Sequence, residues 1–542
     1  MLIFQQDDFR QNWQQLYDSP REYITNNYSN PGFISLFLVV VAIAFQYTGT
    51  HRRQLLQTYH IDKISFKDEI LSKIRDKILD IVSWGSLEAV QTCVLLGTYY
   101  LYHGNPGLAW PVCGCALRIA QAMNLHRRLS NREQISPRLH RQNETRKRCW
   151  WAIYEIETFC SMAYGYPHGI RDADCDVDLI DPLAKSMNGQ SPASFDATHQ
   201  CPASLLSYKY LMSRLSVLIK DILTDLYGIG SYRRATERDR SDSSSTLQNL
   251  VRQVKLLDAR LRQWKAKIPA PLNIDNSEAS VPKYRSTEEM DRDIGASGPD
   301  FEAHIYQLQA FSLELAYQNA RILAHRPLLT YKIIPRAEGD LQSSGESCAP
   351  NSFHTSLQAC RDAALKTSEM GTKSIFPLAV DTYAASFIGI HTFTAGVLLC
   401  ILISIEPLSP QSYQSKMGLR RLLNMQVHLK SRSKSTLAVQ GVEIMERLTK
   451  LVMEKELKEM LTSPGTGGPL LAPNPHNDLH EDPRDDIEPD SQILASSLPE
   501  VSLNEESIFD YIEDPAMSQA LSDFDQGMLY ERLEKLCSNC CH

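Results

Sequence analysis

Residues 146–182 constrain the fold of this chain more than any other segment. Neither glycine nor proline interrupts residues 145–163, which predicts a continuous helix. Four residues fall at the spacing of one helical face: Trp150, Ile153, Tyr154 and Glu157. Trp151 points toward the neighbouring face, so we expect a helix that is broadly buried. Gly165 and Pro167 should end it, because proline cannot continue the helical hydrogen-bond ladder.

Glu157 places a carboxylate on this otherwise apolar face. A buried charge needs a cation or a donor, and three arginines are candidates: Arg146, Arg148 and Arg171. The basic residues 146–148 could contact DNA phosphates. However, cations at a helix N-terminus oppose the helix dipole, which favours a tertiary role. We therefore expect a structural anchor in which this basic cluster pairs with Glu157, Asp174 and Asp176.

The same stretch resembles the fungal-specific transcription factor domain, the all-helical middle homology region of zinc binuclear cluster regulators. The resemblance rests on Arg-x-Arg-x-Trp-Trp-x-x-Tyr, from Arg146 to Tyr154, followed by Asp-Cys-Asp-Val from Asp174. The chain departs from the family at Glu157, where Asp is common, and at Tyr166, where Arg is frequent. Both departures keep a polar group.

Further segments resemble the same family between about residues 33 and 405. A small-x-Ala-x-Arg helix ends in Leu125-His126, with Asn124 replacing the usual glycine as a left-handed cap. Residues 261–269 match a Leu-x-x-Trp-x-x-x-Ile-Pro pattern. Residues 325–327 match a His-Arg-Pro segment, where Pro327 is expected to end a helix that starts near Phe301.

The resemblance implies an all-α, multi-helix regulatory domain. We predict a polar N-terminal segment (residues 1–30), a helical domain (31–462) and an acidic, largely disordered tail (463–542). The apolar run 33–45 is too short to cross a bilayer, which takes roughly 18 residues or more, so a buried helix is expected there. Residues 387–405 should form a central core helix. Ser86 is expected to cap a helix in which Gly97 marks the close approach of a partner helix. Residues 127–143, which contain Pro137, are expected to form a charged loop.

The tail has a distinctive composition. Residues 473–526 contain fifteen acidic residues and a single base, Arg484, with small apolar groups between them. Such a segment buries too little surface to fold alone but can dock on a partner. Both a transcriptional activation segment and a solvating tail fit this composition; the resemblance favours the first.

Cysteine usage bears on DNA binding. The thirteen cysteines are scattered, mostly inside apolar runs, as in reduced packing rather than a disulfide framework. Members of the resembled family usually carry six cysteines that bind two zinc ions near the N-terminus, whereas here the first cysteine is Cys93. The module could be missing, the gene model could start late, or the protein could work without it. We expect no cofactor in this chain, and zinc only with such an N-terminal cluster.

Other chemistry has weak support in the sequence. The alternating acids from Asp172 to Asp178 suggest a calcium loop, but its required Gly and Glu are replaced by Val177 and Leu183. The terminal run 537–542 has a ligand-like Cys spacing without a second pair to complete a zinc site. Residues 228–230 lack the third glycine of a dinucleotide motif.

The resemblance implies a nuclear transcription regulator of a metabolic or biosynthetic gene set, not an enzyme. Its partners would be the transcription machinery, through the acidic tail, a homo- or heterodimer with related factors, and a small-molecule effector. A net charge of -8 argues against nucleic-acid binding by the whole chain, and no motif supports DNA contact. No membrane association is expected. Two alternatives stay open: a non-DNA-binding cofactor or decoy, and an all-helical enzyme of terpene synthase type.

Overall fold

The computed structural model describes residues 3–20, 31–129, 136–182, 204–228, 243–277, 284, 286–292, 299–333, 349–433 and 436–462. Within these ranges every regular element is a helix, which confirms the predicted all-α fold. The predicted tail (463–542) and the terminal cysteine run lie outside the described residues.

Eight helices lie before residue 165 in the ranges that the structure describes. They are α1 (Gln6–Asp18), α2 (Pro31–Gln46), α3 (Thr50–Thr58), α4 (Lys63–Asp76), α5 (Ile78–Ser83), α6 (Leu87–Tyr102), α7 (Pro106–Ala122) and α8 (Pro137–Tyr164).

Ten helices follow in the described part of the chain. They are α9 (Ser207–Tyr227), α10 (Ser243–Ala266), α11 (Ile274–Ser277), α12 (Thr287–Arg292), α13 (Pro299–Ile333), α14 (Ala349–Glu369), α15 (Phe376–Val380), α16 (Ala385–Ile405), α17 (Pro410–Ser433) and α18 (Thr436–Thr462). Three single turns of 3₁₀ helix lie at Asp172–Asp174, Ala270–Leu272 and Met370–Thr372.

The helices pack around two hydrophobic cores. The first core is formed mainly by α2 and α4 to α8, and Ile3 at the N-terminus is fully buried in it. The second core is formed by α9, α10 and α13 to α18. Phe159 of α8 and Tyr102 of α6 pack against both cores, so these two residues lie at the junction.

Local sequence signals set several helix ends as predicted. The hydroxyl of Ser86 accepts a hydrogen bond from the Ala89 amide at 3.2 Å and caps α6. Asn124 follows α7 with a left-handed φ of 55°. Gly97 allows α7 to approach closely, since a Cβ atom there would lie 2.4 Å from the sulfur of Cys113.

Two predicted boundaries are wrong. Residues 127–143 read as a charged loop, yet α8 begins at Pro137, where proline fits the first helical turn and the Ser136 hydroxyl accepts from the Leu139 amide at 3.3 Å. Pro327 was expected to end a helix, yet α13 runs through it to Ile333. The carbonyl of Leu323, which loses its helical donor at Pro327, accepts the hydroxyl of Tyr227 at 2.7 Å instead.

One helix in the described part of the chain is long and apolar enough to cross a membrane by length and composition, namely α16. Its side chains are mostly buried within the second core, as predicted for the central helix of a folded domain. The shorter apolar helix α2 packs against the first core through Phe33, Leu36 and Val39.

Candidate functional site: helix α8 and its return segment

Helix α8 carries the tryptophan pair and ends as the sequence predicts. Gly165 adopts a left-handed φ of 70°, and its amide donates to the carbonyl of Ser161 at 3.1 Å. A residue with a Cβ atom pays a steric cost in this conformation, so glycine is favoured at this helix end. The chain then reverses direction and runs back along α8.

The tryptophans are buried, as predicted. Trp150 is 1% exposed and lies in the first core, with its ring centroid 5.7 Å from that of His126. Trp151 is also buried, and its indole Nε1 donates to the carbonyl of Asp178 at 3.0 Å. A buried indole N–H needs such an acceptor, so Trp151 binds the returning chain as well as filling the core.

Residues 168–181, which we call the return segment, run antiparallel to α8. Successive residues of the segment contact progressively earlier residues of α8. The five pairs are His168 Nε2 with Thr158 Oγ1 (3.1 Å), Gly169 N with Glu157 Oε2 (2.9 Å), Asp172 Oδ1 with Tyr154 OH (3.2 Å), Asp178 O with Trp151 Nε1 (3.0 Å), and Asp181 N with Glu144 Oε2 (3.3 Å). Polar contacts therefore fix the segment along about four turns of the helix.

The carboxylate of Glu157 binds a main-chain amide rather than an arginine. It accepts from the Gly169 amide at 2.9 Å, and it contacts neither Arg146, Arg148 nor Arg171, so the predicted cation is wrong. Burial raises the pKa of Glu157, although the Gly169 amide and the charge of Arg118 lower it in part. A Cβ atom on Gly169 would lie 3.0 Å from this carboxylate oxygen and from Leu117 Cδ2, so glycine permits the close approach.

Arg146 binds the end of a neighbouring helix. Its guanidinium donates to the carbonyls of Met123 (2.9 Å) and Asn124 (3.2 Å), which follow the last turn of α7. Carbonyls at a helix C-terminus lack intrahelical donors and carry partial negative charge, so a cation is stabilised there. Because α8 begins at Pro137, Arg146 lies in its third turn and the expected cost of a cation at the helix N-terminus does not apply. Its partners are carbonyls at the end of α7, whereas we expected acidic side chains.

The rest of the basic cluster also pairs differently from the prediction. Lys147 forms an ion pair with Glu144 at 2.7 Å. Arg148 is 3% exposed, and burial lowers its pKa while the charges of Glu144 and Asp181 act in the opposite direction. Arg171 is exposed. The basic cluster thus contacts Glu144 and the carbonyls at the end of α7, and not the predicted acids Glu157, Asp174 and Asp176.

The alternating acids from Asp172 to Asp178 pair with two cations, Arg128 and Lys220, that the sequence analysis did not identify. Arg128 donates its main-chain amide to Asp176 at 2.8 Å and forms an ion pair with Asp178. The Asp172 carboxylate lies 2.7 Å from Lys220 of α9. Asp174 is exposed in the 3₁₀ turn, so it does not take the anchoring role predicted for it.

Lys220 joins the return segment to the second core. Its Nζ donates to the Ile170 carbonyl at 2.8 Å, contacts Asp172, and lies 5.2 Å from the centroid of the Tyr154 ring. The flanking residues Ile219 and Ile222 belong to the second core, while Tyr154 belongs to the first. A lysine on an amphipathic helix carries no local sign of this role, which is why sequence reasoning missed it.

A second polar contact joins α8 to α9. Glu155 forms an ion pair with Lys209 and accepts from the hydroxyl of Ser213 at 3.1 Å. Both Lys209 and Ser213 are buried. Lys209, Ser213 and Lys220 thus lie on one side of α9 and form polar contacts with α8 and the return segment.

His168 at the start of the return segment is neutral in this environment. Burial, and then the charge of Lys220, lower its pKa to about 4, with Asp172 acting in the opposite direction. The Ile170 amide donates to Nδ1 at 3.2 Å, so the ring hydrogen lies on Nε2 and is donated to Thr158 Oγ1 at 3.1 Å. Protonation of Nδ1 would remove the contact with Ile170.

This arrangement positions chain segments rather than reacting groups. Within the described ranges, no three His, Cys, Asp or Glu side chains are placed to bind a metal ion, and the cysteines there do not form the six-cysteine set of a zinc cluster. The alternating acids from Asp172 to Asp178 lie on the return segment, where they pair with Arg128 and Lys220. They do not face one another from two helices, as a magnesium-dependent terpene synthase site requires.

Comparison with known proteins shows a likeness to one family. The family model described as the fungal specific transcription factor domain matches residues 3–266. The matched residues include α8, the return segment and Lys220. Residues 3–266 are therefore similar to a fungal-specific transcription factor domain.

Curated relatives agree with this assignment. An uncharacterized transcriptional regulatory protein of Schizosaccharomyces pombe is 23% identical over 304 residues, which are 56% of this chain and 32% of that protein. The oosporein cluster regulator of Beauveria bassiana is 20% identical, over 48% of this chain and 35% of its own length. A Zn(2)-C6 fungal-type transcription factor of Macrophomina phaseolina is 24% identical, over 55% and 35%.

The alignments cover only part of each protein. This chain spans about a third of the length of these three relatives. The domain match itself ends at residue 266, so the segments after Phe301 that resemble the family lie outside it.

Proposed function

We propose that this chain is a nuclear transcription regulator that controls a metabolic or biosynthetic gene set. The observation that carries the proposal is the domain match over α8, the return segment and Lys220, whose contacts build one buried unit. The names of the relatives support the same class, since they describe a transcriptional regulatory protein, a cluster regulator and a transcription factor.

The geometry favours a regulatory rather than a catalytic role for the helical residues. Lys220 and Glu155 hold the two cores together through a few polar contacts, at Asp172, Ile170 and Lys209. Polar contacts of this kind fix the arrangement of helices and can be broken individually. In this proposal the helical residues are the regulatory part, and the acidic residues 473–526 recruit the transcription machinery.

The tail is tested with an activation reporter. Residues 463–542 are fused to an unrelated DNA-binding domain, beside a matched fusion whose sequence has the same composition in scrambled order. The proposal predicts strong reporter expression from the native tail. Expression no higher than that of the scrambled control would remove the activation role.

A second candidate function is that of a cofactor that does not itself bind DNA. Such a cofactor would act by pairing with family members that themselves bind DNA. Purified full-length chain is mixed with a random DNA library, alone and with a complete family member. Sequence-selective recovery by the chain alone supports direct binding, whereas recovery only with the partner supports the cofactor role.

The regulatory role is tested in the source organism. The gene is deleted, and the strain is complemented with the wild-type chain or with Lys220→Met, which removes the charge but keeps the length of the side chain. We expect a restricted set of transcripts to change on deletion and to return with the wild type. Unchanged transcripts across growth conditions would contradict the proposal.

A further inference from the structure

Helix α17 presents a solvent-facing stripe that is both apolar and basic. Its residues are spaced as one helical face and are all exposed: Tyr413, Met417, Arg420, Asn424 and Val427. Tyr413 is 66% exposed, and Met417 and Val427 are 43% and 46% exposed. The opposite face of α17 is buried in the second core, so the stripe is the free side of a firmly held helix.

Charge on α17 is of one sign only. The helix contains five Lys and Arg residues and no Asp or Glu. Three of the five have described partners, namely Lys416 with Glu456, Arg421 with Ser368 and Arg432 with Asp381. Arg420 and Lys430 are exposed and contact no acid in the described part of the chain. Their charge is therefore available to an acidic partner beside the stripe.

The described chain ends beside this stripe. Helix α18 packs antiparallel to α17, and Glu456 near its end accepts from Ser412 at 2.7 Å and pairs with Lys416 at 2.7 Å. Thr462 thus leaves α18 next to the first turns of α17. At the same end, α18 exposes Leu457, Met460 and Leu461, which extends the apolar surface.

The sequence after Thr462 contains a segment of complementary chemistry. Residues 501–514 carry five acids and no base, around the apolar residues Ile508, Phe509, Tyr511 and Ile512. The 38 intervening residues (463–500) reach about 130 Å at full extension, while α17 is about 36 Å long. Length therefore does not limit the contact.

We propose that residues 501–514 bind the exposed stripe of α17 within the same molecule. The apolar side chains lie against Tyr413, Met417 and Val427, and the acids lie near Arg420 and Lys430. Linkage in one chain raises the effective concentration of the segment at α17, so weak individual contacts suffice. While Phe509 contacts α17, it is unavailable to another protein.

The test places a photoreactive benzoyl-phenylalanine at Met417 in the full-length chain, at low micromolar concentration. The matched control carries the same group at Leu79 of α5, which is 81% exposed. After irradiation, crosslinked peptides are mapped by mass spectrometry. We expect an intrachain crosslink from position 417 to residues 501–514 that is absent from position 79.

Two double variants and a matched control separate this contact from non-specific capture. Phe509→Asp with Ile512→Asp should abolish the crosslink. Arg420→Glu with Lys430→Glu should lower its yield about threefold, and Lys73→Glu with Arg138→Glu, which reverses two exposed charges elsewhere, should leave it unchanged. High salt should lower the wild-type yield as well.

Three outcomes would overturn the proposal. They are a crosslink between two chains, which would mean that a second copy covers the stripe, crosslinks spread evenly along residues 463–542, and no crosslink at position 417. The readout is independent of transcription, so the contact can fail while the proposed function stands, and the reverse.

Discussion

The hydroxyl of Tyr227 at the end of α9 donates to the main-chain carbonyl of Leu323, 2.7 Å away in α13. This carbonyl has no helical donor, because residue 327 is proline and lacks an N–H. Arg326 also contacts the Tyr227 hydroxyl at 3.1 Å and lies over its ring. A tyrosine from another helix thus satisfies the defect that lets α13 continue through Pro327.

This relationship predicts coupling between Tyr227 and Pro327. Tyr227→Phe should lower the free energy of unfolding by about 1–3 kcal/mol, because the Leu323 carbonyl loses its donor. In a Pro327→Ala background the restored amide can bond this carbonyl, so the same substitution should cost about 1 kcal/mol less. Urea denaturation of the four proteins measures the cycle. Equal costs in both backgrounds would contradict the account, and Tyr413→Phe at an exposed site is the control.

The tryptophan pair predicts two different costs. Trp150→Ala should destabilise the chain by about 3–5 kcal/mol, since it empties a fully buried site. Trp151→Phe keeps most of the volume but leaves the Asp178 carbonyl without its indole donor, so we expect a loss of about 1 kcal/mol. Trp13→Phe, at a residue that is 38% exposed, is the control and should change stability little. Comparable costs at positions 13 and 150 would show that Trp150 is not buried.

The raised pKa of Glu157 predicts a pH-dependent stability difference. The folded state holds a proton on this carboxyl more tightly than the unfolded state, so its contribution becomes less favourable as pH rises above the ordinary value of 4.5. Glu157→Gln keeps an acceptor for the Gly169 amide but has no such charge. We therefore expect the variant to gain stability relative to the wild type as the pH rises above 4.5. Denaturation midpoints from pH 4 upward measure the difference, and a gap of the opposite sign would refute it.

Asp258 predicts a pH dependence of stability with the opposite sign. This buried carboxylate lies 3.0 Å from Arg262, 3.2 Å from Arg321 and 3.4 Å from His325. Burial raises its pKa, but the hydrogen bond and charges of these neighbours outweigh burial and bring it to about 2, below the ordinary 3.8. The contribution of Asp258 to the free energy of unfolding is therefore complete above pH 3.8, and it is lost as the pH falls toward 2.

Asp258→Asn should cost about 3 kcal/mol at neutral pH, because it leaves the largely buried guanidinium of Arg321 without its carboxylate partner. The gap between wild type and variant should narrow as pH falls below 4. Asp8→Asn, at an exposed residue of α1, is the control. A cost that does not depend on pH would contradict the assigned network.

The sequence predicted the local features of the site. The helix over residues 145–163, its end at Gly165 and the burial of Trp150 follow from spacing and from the conformational limits of glycine and proline. The caps at Ser86 and Asn124 were predicted on the same grounds. These features depend on neighbours within a few residues, so one segment contains the needed information.

The partners of the charged groups could not be predicted in this way. Arg146 binds carbonyls 22 and 23 positions earlier, and Asp172 binds Lys220, which lies on another helix. Such pairs are set by the packing of helices from both cores. Pro327 shows the same limit, because the tyrosine that stabilises its helix lies 96 positions from the carbonyl that it binds.

Hydrogen exchange of the return segment tests the account most directly. The amides of Gly169, Asp176, Val177 and Asp181 donate to Glu157, His126 and Glu144. In the full-length chain these amides should exchange much more slowly than those of an unstructured peptide of the same sequence. Glu157→Ala should speed exchange at Gly169 most. Exchange of residues 168–181 at the rate of the free peptide would contradict the central claim that this segment is fixed along the buried helix α8.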